Sequence, residues 1–430
     1  MKNKLDPKRK LFVNSCGPAF VRGGGRDILE CMICDKNKNF INKNSLDVRR
    51  IDLNNVDKTY INETAVIIPS GDIGYCAFGH IIPAVCHFLW YLFDDRYKNL
   101  KTMKIVLLLG NQNKKFLDFL YLLVPKEQFI MIEDKNKIYQ FKEAFVADSS
   151  FGWNGPGNDI NNKFVDIFDK MKQNVPDKYN YEKIYFTRSE KERPLIPNSE
   201  ATKIVYNEKQ IERIFEKNGF KIFYPDKLSI MEQIAICKKA KVLAAVSGAA
   251  LQQAVFLPNN STVIALCRDY VREEIAFQIP IDRLKNNTSI YIDACVNPLP
   301  FRLKANWSHN TIIGVNRHVK AFFDDYKFKY NNEDLMPNKD EMLNFLIDFG
   351  YNYSNYKDKN YRIKKLYDDM ESQNTNERLS KIEEKLKIIN NKKTHYKKHY
   401  KLWKMYANLV CIFIINKEKR HEMRINLTML

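Results

Sequence analysis

The segment VLAAVSGAAL, residues 242–251, decides the fold of this chain. Its apolar first half predicts a buried strand, and the small-residue turn that follows at once predicts the opening of a helix. The same alternation of short apolar runs and helix-period segments extends over residues 64–266. It predicts βαβ units with parallel sheets, and therefore an α/β fold built from two consecutive Rossmann-like halves.

Composition and periodicity divide the 430 residues into five segments. A basic, weakly periodic N-terminal extension is expected over 1–58 and is expected to be loosely structured. The two Rossmann-like domains are expected over 59–175 and 176–300, a connecting helical segment over 301–370, and a basic helical tail over 371–430. Ligands of such sheets bind outside the carboxyl ends of the strands, so two facing domains would hold a ligand in the cleft between them.

The charge balance predicts an anionic partner. Lys and Arg total 70 against 51 acids, which gives a net charge of +19. An anionic membrane surface or a phosphate-bearing substrate fits this excess as well as nucleic acid does. The sequence shows no zinc finger, RNA-recognition aromatics or helix-turn-helix unit, so nucleic acid is not an expected partner.

The cysteine pattern predicts reduced thiols in a cytoplasmic protein. The nine Cys are odd in number and irregularly spaced, which disfavours a disulfide framework. Cys31 and Cys34 form one C-x-x-C pair without two further ligands at suitable spacing, so no structural zinc is expected. No secretory signal and no stretch of about 18 apolar residues is visible in the sequence.

The turn at the end of the strand at 242–246 offers groups that bind phosphate. Ser247 adds a hydroxyl, Gly248 permits close backbone approach, and Ala249 and Ala250 leave the mouth of the helix unobstructed. Free backbone N–H groups at a helix start, with the positive end of its dipole, suit a diphosphate. Ordinary tight packing between a strand and a helix explains the same small residues, and the sequence leaves both interpretations open.

A second candidate follows the strand expected at 183–187. Arg188 emerges where a parallel strand would meet the cleft, and Arg193 lies five residues further on. A guanidinium there can bind two phosphate oxygens without a metal ion. The alternative is a surface arginine in the charged loop that follows.

Two residues in the first half are candidates for a base that accepts a proton. His80 lies at the start of a helix expected over 80–97, where the helix dipole favours the neutral imidazole. Asp72 is the rival base, although its turn, GDIG, is equally typical of an Asx turn. His87 lies in the hydrophobic part of the same helix and is expected to be packed.

The C-terminal tail carries a heptad pattern. Apolar residues recur from 379 to 389 at spacings of 3, 4 and 3, and the pattern continues to about residue 410. Three interpretations stay open: a helix packed on its own protein, a coiled coil that makes a homo-oligomer over 379–410, and a basic helix on an anionic membrane. In the third, Trp403 and the apolar run 409–415 insert, and the protein is peripheral on the inner membrane face.

These residues resemble glycosyltransferase family 61 and its bacterial relatives of capsular polysaccharide and lipopolysaccharide synthesis, over about 65–270. Three segments carry the resemblance in order. They are FGH at 78–80, YFTRS at 185–189 with Arg193, and the stretch that contains GAAL at 248–251. The combination in this order is fairly specific, whereas each piece alone is not.

The resemblance implies a GT-B architecture, in which two Rossmann-like domains face a cleft. It implies an inverting transfer of a hexose or pentose from a nucleotide-sugar, typically a UDP-sugar, to a cell-surface glycan or glycolipid acceptor. No essential metal and no further cofactor are implied. The donor-binding residues carried over are Arg188, Ser189, Arg193, Ser247, Gly248, Ala249 and Ala250. The catalytic base carried over is His80 or Asp72.

Two positions depart from the family pattern. The family usually has His before the Gly-Ala pair, where this chain has Ser247, and it often has Glu after the final strand, where this chain has Ala265. These departures keep an alternative open: a catalytically inactive binding or scaffold protein that retains the fold and associates through its C-terminal helix.

Overall fold

The computed structural model describes two compact units. The described residues are 10–22, 32–35, 58–68, 85–108, 117–132, 137–151, 161–188, 204–268, 278–296, 311–335, 338–342 and 344–345. The first unit comprises Met1–Ile184, Lys227–Ala265 and Glu274–Ile290, and the second comprises Tyr185–Asp226, Leu266–Glu273 and Tyr291–Leu430. The domain boundaries expected from the sequence stay a prediction, and the heptad tail lies outside the described residues.

A six-stranded sheet forms the centre of the first unit. Its strands are β1 (Val13–Arg22), β2 (Met32–Asp35), β3 (Lys58–Ile68), β4 (Lys104–Leu108), β5 (Phe129–Ile132) and β6 (Ile138–Ala147). They lie in the order β2-β1-β6-β3-β4-β5. β3 pairs in parallel with β4 and β6, and β4 pairs in parallel with β5. The predicted mixed α/β class with parallel strands is confirmed.

The parallel part of this sheet forms because its strands are apolar on both faces. Residues 65–68 of β3 and 105–108 of β4 are fully buried. Continuous burial is typical of parallel strands that are covered on both sides. The first three residues of β3, 58–60, are exposed and extend beyond the buried part of the strand.

The N-terminal region differs from the loosely structured extension expected over 1–58. β1 pairs antiparallel with β6 from Val13↔Ala147 to Arg22↔Ile138, and its other edge pairs with β2. Ala19 and Val21 are fully buried. The expectation is therefore wrong for these strands, because pairing with a strand more than a hundred residues away orders them.

A second sheet contains five strands. They are β7 (Lys183–Phe186), β9 (Lys221–Phe223), β10 (Val242–Val246), β11 (Thr262–Cys267) and β12 (Thr288–Asp293), in the order β12-β11-β10-β7-β9. Counted along the chain within this sheet, the order is 2-1-3-4-5, the flavodoxin-like arrangement of doubly wound sheets. The direction of winding reverses between β7 and β10. The remaining strands, β8 (Val205–Tyr206) and β13 (Thr311–Ile312), form a small parallel pair.

Short helices connect the strands. The α-helices are α1 (Leu117–Tyr121), α2 (Lys163–Gln173), α3 (Glu208–Lys217), α4 (Ile230–Cys237), α5 (Ala249–Gln252), α6 (Gln278–Leu284) and α7 (Arg317–Asp325). The 3-10 helices are Cys86–Phe93, Asp95–Leu100, Lys126–Gln128, Pro225–Lys227, Gln253–Phe256 and Asn332–Leu335. No helix within the described ranges is long and apolar enough to cross a bilayer.

The structure agrees with only some of the helix features that the sequence predicts. The Ser-x-x-Glu spacing at 229–232 predicts a capping box, and α4 opens with one, since Ser229 and Glu232 cap each other reciprocally. The helix expected over 80–97 is instead a pair of 3-10 helices in its described part. Asn207 precedes α3, where an asparagine is typical of an N-cap, but its side chain does not cap the helix. Its amide donates to Gln210 Oε1 and to the carbonyl of Ile313 instead.

Each unit has an aromatic core of its own. In the first unit, the ring of Phe119 lies edge-on to Phe256 at 5.7 Å, and Phe168 packs on Phe256 at 5.6 Å. In the second unit, Phe215 packs edge-on against Phe220 and Phe328 at 4.8 and 5.3 Å. Edge-to-face rings of this kind stabilise a core beyond the area that they bury.

His87 is packed, as its position in the sequence predicts. Its side chain is buried in the first unit, and its Nδ1 lies 2.8 Å from the hydroxyl of Ser149. The backbone carbonyl of His87 also accepts a hydrogen bond from the hydroxyl of Ser150 at 2.6 Å. These contacts tie the 3-10 helix to the end of β6.

A buried lysine lies directly after α6 in the first unit. The side chain of Lys285 is fully buried, and its Nζ has no hydrogen-bond partner within the described residues. Asp169 Oδ1 lies 3.7 Å from this Nζ and also pairs with Lys172 at 2.8 Å. Burial lowers the pKa of Lys285 to about 8, and the Asp169 carboxylate offsets only part of that shift.

We expect Lys285→Met to raise the free energy of unfolding at pH 7, because methionine fills the site without a charge. The folded-state pKa of about 8 lies below the ordinary 10.5, so the unfolded state holds the proton more tightly. The parent should therefore gain up to roughly 3 kcal/mol of stability as the pH rises between these values. Urea denaturation across this pH range measures the gain.

The Lys285→Met variant should lack this alkaline gain in stability. Lys170→Met, at an exposed position of α2, serves as the control and should keep the parent's pH profile. Identical pH slopes in the parent and in Lys285→Met would contradict the assignment of the shift to Lys285.

Candidate functional site

The carboxyl end of β7 carries a group of polar residues within the second unit. Tyr185 and Thr187 are buried, and Arg188 is partly exposed where the chain leaves the sheet. The backbone N–H of Thr187 donates to the carbonyl of Phe223 at 2.9 Å, which extends the pairing with β9 by one residue. Arg188 is therefore the first residue of the loop that follows the strand.

Two acids on α3 face this strand end. Glu208 and Glu212 are four residues apart, so they lie on the same face of the helix. Ile211 and Phe215 share that face and are fully buried, and the two acids are buried with them, at 1% and 7% exposure. Buried carboxyl groups need hydrogen-bond donors, because they have lost their contact with water.

The strand end supplies these donors. The hydroxyl of Tyr185 donates to Glu208 Oε1 at 3.1 Å, and the backbone N–H of Arg188 donates to Glu208 Oε2 at 3.2 Å. Glu212 accepts hydrogen bonds from the hydroxyl of Thr187 and, at 3.4 Å, from the hydroxyl of Tyr224. Both carboxyl groups are thus anchored to the segment that carries Arg188.

The electrostatics of this group bring the pKa of one carboxyl group close to neutral pH. Burial raises the pKa of Glu208 to about 7, and the negative charge of Glu212 adds to the rise. The Arg188 guanidinium and the two hydrogen bonds oppose it. Burial also raises the pKa of the Tyr185 hydroxyl well above its ordinary value. Near pH 7 the Glu208 carboxyl is partly protonated and cancels only part of the positive charge of Arg188.

The small-residue turn expected to bind phosphate lies in the first unit. Ser247 directly follows β10 and is fully buried, whereas Gly248, Ala249 and Ala250 are partly exposed. Gly248 has φ 141° and ψ −157°, a conformation that is essentially restricted to glycine. α5 is a single turn, so the turn offers backbone amides rather than the dipole of a long helix.

The other positions predicted from the sequence lie outside the described residues. Asp72, His80, Ser189 and Arg193 are among them. Of the donor-binding set, Arg188 belongs to the second unit and residues 247–250 belong to the first. Ala265, one of the two departures from the family pattern, is fully buried in β11.

No group of three His, Cys, Asp or Glu side chains within the described ranges is arranged to hold a metal ion. Cys86 and Cys237 are free thiols. Burial raises the pKa of the Cys86 thiol well above its ordinary value, which makes it a poor nucleophile.

The burial of Glu208 and Glu212 was not predicted from the sequence. Sequence patterns place acids on the solvent face of an amphipathic helix, and α3 has exposed charges such as Arg213 and Glu216 on its other face. The signal that could have identified Glu208 is the spacing of the apolar residues along α3. Counting back from Phe215 by four and by seven residues reaches Ile211 and Glu208, so Glu208 falls on the apolar face.

The sequence of this chain was compared with known proteins and protein families. No curated protein matches the chain. Residues 78–264 match the family model described as Glycosyltransferase 61, which includes β7, α3, β10 and the turn at Gly248. The chain is therefore a glycosyltransferase, and its residues 78–264 are similar to glycosyltransferase family 61.

Proposed function

We propose that this glycosyltransferase moves a hexose or pentose from a nucleotide-sugar, with UDP as its nucleotide, to a cell-surface glycan or glycolipid acceptor. The transfer inverts the anomeric configuration and needs no essential metal ion. The observation that carries the proposal is Arg188, which two buried acids anchor at the end of β7, inside the region that matches family 61.

The strand order of the second sheet supports a ligand at this position. The winding reverses between β7 and β10, and ligands of doubly wound sheets bind at such a reversal, outside the carboxyl ends of the strands. Arg188 follows the first of these strands. In the proposal, its guanidinium binds the diphosphate of the donor.

The proposed chemistry is a single displacement. An acceptor hydroxyl oxygen forms the new bond to the anomeric carbon, and the bond from that carbon to the diphosphate oxygen breaks. The diphosphate leaves with the bonding electron pair, and the acceptor proton passes to His80 or Asp72. Arg188 stabilises the charge that develops on the leaving oxygen, which is the part of the barrier that preorganised charge lowers most.

Glu208 has a positioning role in this proposal. It holds the backbone of Arg188 through the 3.2 Å hydrogen bond, and its raised pKa keeps it from neutralising the guanidinium fully. A bound diphosphate brings further negative charge to Arg188 and raises the pKa of Glu208 again. Donor binding should therefore be coupled to the uptake of a proton.

The finer features of the enzyme belong to the same proposal. They are the GT-B arrangement, the cytoplasmic location at the inner membrane face, and the homo-oligomer formed through 379–410. The basic composition of the chain supports an anionic surface as a partner.

We expect Arg188→Ala to lower the turnover of a UDP-sugar by about a hundredfold or more, because the leaving diphosphate loses its fixed cation. Arg188→Lys should recover only part of the rate, since a single ammonium cannot bind two phosphate oxygens as a guanidinium does. A panel of UDP-hexoses and UDP-pentoses, with UDP release as the readout, identifies the donor first.

Arg283→Ala removes an exposed arginine from α6 and is the matched control. It should leave turnover unchanged. If the rate of Arg188→Ala equals that of this control, Arg188 does not act on the leaving group.

We expect the affinity for the UDP-sugar to increase severalfold as the pH falls from about 8 to about 6, because binding takes up a proton at Glu208. A UDP-sugar suits the measurement, since its diphosphate is esterified at both ends and keeps a constant charge over this range. Calorimetric titration at several pH values gives the dissociation constants.

The Glu208→Gln variant should bind the donor with nearly constant affinity over the same range, because its amide does not titrate. Glu216→Gln, at an exposed position of the same helix, should behave as the parent does. A pH dependence that persists in Glu208→Gln would assign the proton to another group.

A further inference from the structure

A depression of about 780 Å³ lies within the second unit, beside the C-terminal end of α7. Its volume is within the range of sites that bind small molecules. It is lined by Lys217, Phe323, Asp324, Lys327, Phe328, Lys329, Tyr330 and Asn331. None of these residues belongs to the set assigned above to donor binding or catalysis.

The end of α7 determines the shape of one side of the depression. The N–H of Phe328 donates to the carbonyl of Phe323 at 2.8 Å, and the N–H of Lys327 donates to the carbonyl of Asp324 at 3.2 Å. These two bonds form a Schellman turn, which places Lys327 in the left-handed conformation with φ 54°. Glycine is the usual residue at this position.

α3 ends in the same kind of turn and has the usual residue. There Gly219 has φ 82°, and the N–H of Phe220 donates to the carbonyl of Phe215 at 3.1 Å. The comparison shows that the turn at α7 does not need a lysine for its backbone. A non-glycine residue in an unfavourable conformation is a reason to look for a function of its side chain.

The charges of the depression do not balance. Asp324 pairs with Lys320 at 2.7 Å and accepts a hydrogen bond from the hydroxyl of Tyr330. Lys217 pairs with Asp334 at 2.7 Å.

Lys327 and Lys329 are exposed and have no ion pair with an acid in the described part of the chain. The lining of the depression therefore contains two exposed lysines without an ion pair among the described residues, whereas its other charged side chains, Lys217 and Asp324, are paired.

The position of Lys329 is fixed through its backbone. Its N–H donates to Asn218 Oδ1 at 2.7 Å, and its carbonyl accepts from Asn218 Nδ2 at 3.0 Å. This pair of bonds holds the residue on the last turn of α3. The side chain of Lys329 takes no part in these bonds and is exposed.

Aromatic rings form the floor of the depression. Phe328 is partly exposed and stacks on Phe323 with ring centres 5.1 Å apart, and Tyr330 lies 5.8 Å from Phe323. A pyranose ring has an apolar face that can pack on such a surface, whereas a simple inorganic anion does not use it. Rings beside two cations therefore favour a ligand that combines an apolar face with negative charge.

We infer that this depression binds an anionic saccharide, in which a sugar ring packs on Phe328 and Tyr330 and a carboxylate or phosphate on that sugar pairs with Lys327 and Lys329. The inference rests on the proposed function, because it assigns the site to charged sugar residues of the glycan acceptor. Acceptor binding is then separate from donor binding at Arg188.

The test measures binding without any turnover, so it succeeds or fails independently of the proposed transferase reaction. The full chain is titrated at low salt with tetragalacturonate, with a neutral galactose tetrasaccharide, with inorganic phosphate and with vesicles that contain phosphatidylglycerol. We expect tetragalacturonate to bind most tightly and its binding to weaken as salt is added.

The double variant Lys327→Gly/Lys329→Gln should weaken the binding of tetragalacturonate at least fivefold. Glycine suits the left-handed position, and the backbone bonds of Lys329 to Asn218 do not involve its side chain, so the variant should fold. The matched control is Lys209→Gln/Lys221→Gln, which removes two exposed lysines of the same unit outside the depression. It should bind as the parent does.

Three outcomes would overturn the inference. One is that both double variants weaken the binding of tetragalacturonate equally, which would show that only the net charge of the protein matters. Another is phosphate that binds as tightly as tetragalacturonate, which would deny any role to the sugar ring. The third is loss of vesicle binding alone in Lys327→Gly/Lys329→Gln, which would assign the lysines to a membrane surface.

Discussion

The Glu208 carboxyl group is enclosed by protein, and the position of Arg188 depends on how that group is satisfied. Water cannot reach it, so the hydroxyl of Tyr185 and the N–H of Arg188 have to remain within hydrogen-bond distance. A buried acceptor that loses its donor costs about 1–3 kcal/mol. The direction in which the chain leaves β7 is therefore held by an acid on a neighbouring helix, and the guanidinium starts from a fixed backbone.

Burial moves the pKa of one group in each unit toward neutrality, and the two shifts act in opposite directions. The pKa of Glu208 rises to about 7, and the pKa of Lys285 falls to about 8. Glu208 lowers the stability of the folded state as the pH rises from its ordinary pKa of 4.5 to about 7, because only the folded state keeps the proton. Lys285 has the reverse effect at alkaline pH. Between the two ranges, both groups make the folded state less stable than neutral side chains would.

Local patterns in the sequence predicted the features that depend on local forces. The apolar run at 242–246 predicted β10, and the Ser-x-x-Glu spacing at 229–232 predicted the cap of α4. β1 was missed because its order comes from pairing with the distant β6, and its register shifts on both sides of Gly17 blur the alternation of a strand. The acids of α3 were missed because a charge pattern alone does not reveal which donors a fold will bring to a buried carboxyl group.

β1 has a practical consequence for anyone who trims the polypeptide. The family match begins at residue 78, and a shortened protein that starts near residue 59 would look like a natural choice. Such a protein would lack β1 and β2, and it would leave one side of the ten-residue strand β6 without its partner. Unpaired strand edges recruit neighbouring molecules and promote aggregation. Insolubility of that fragment would then result from the exposed edge of β6, and it would not show where the catalytic part of the chain begins.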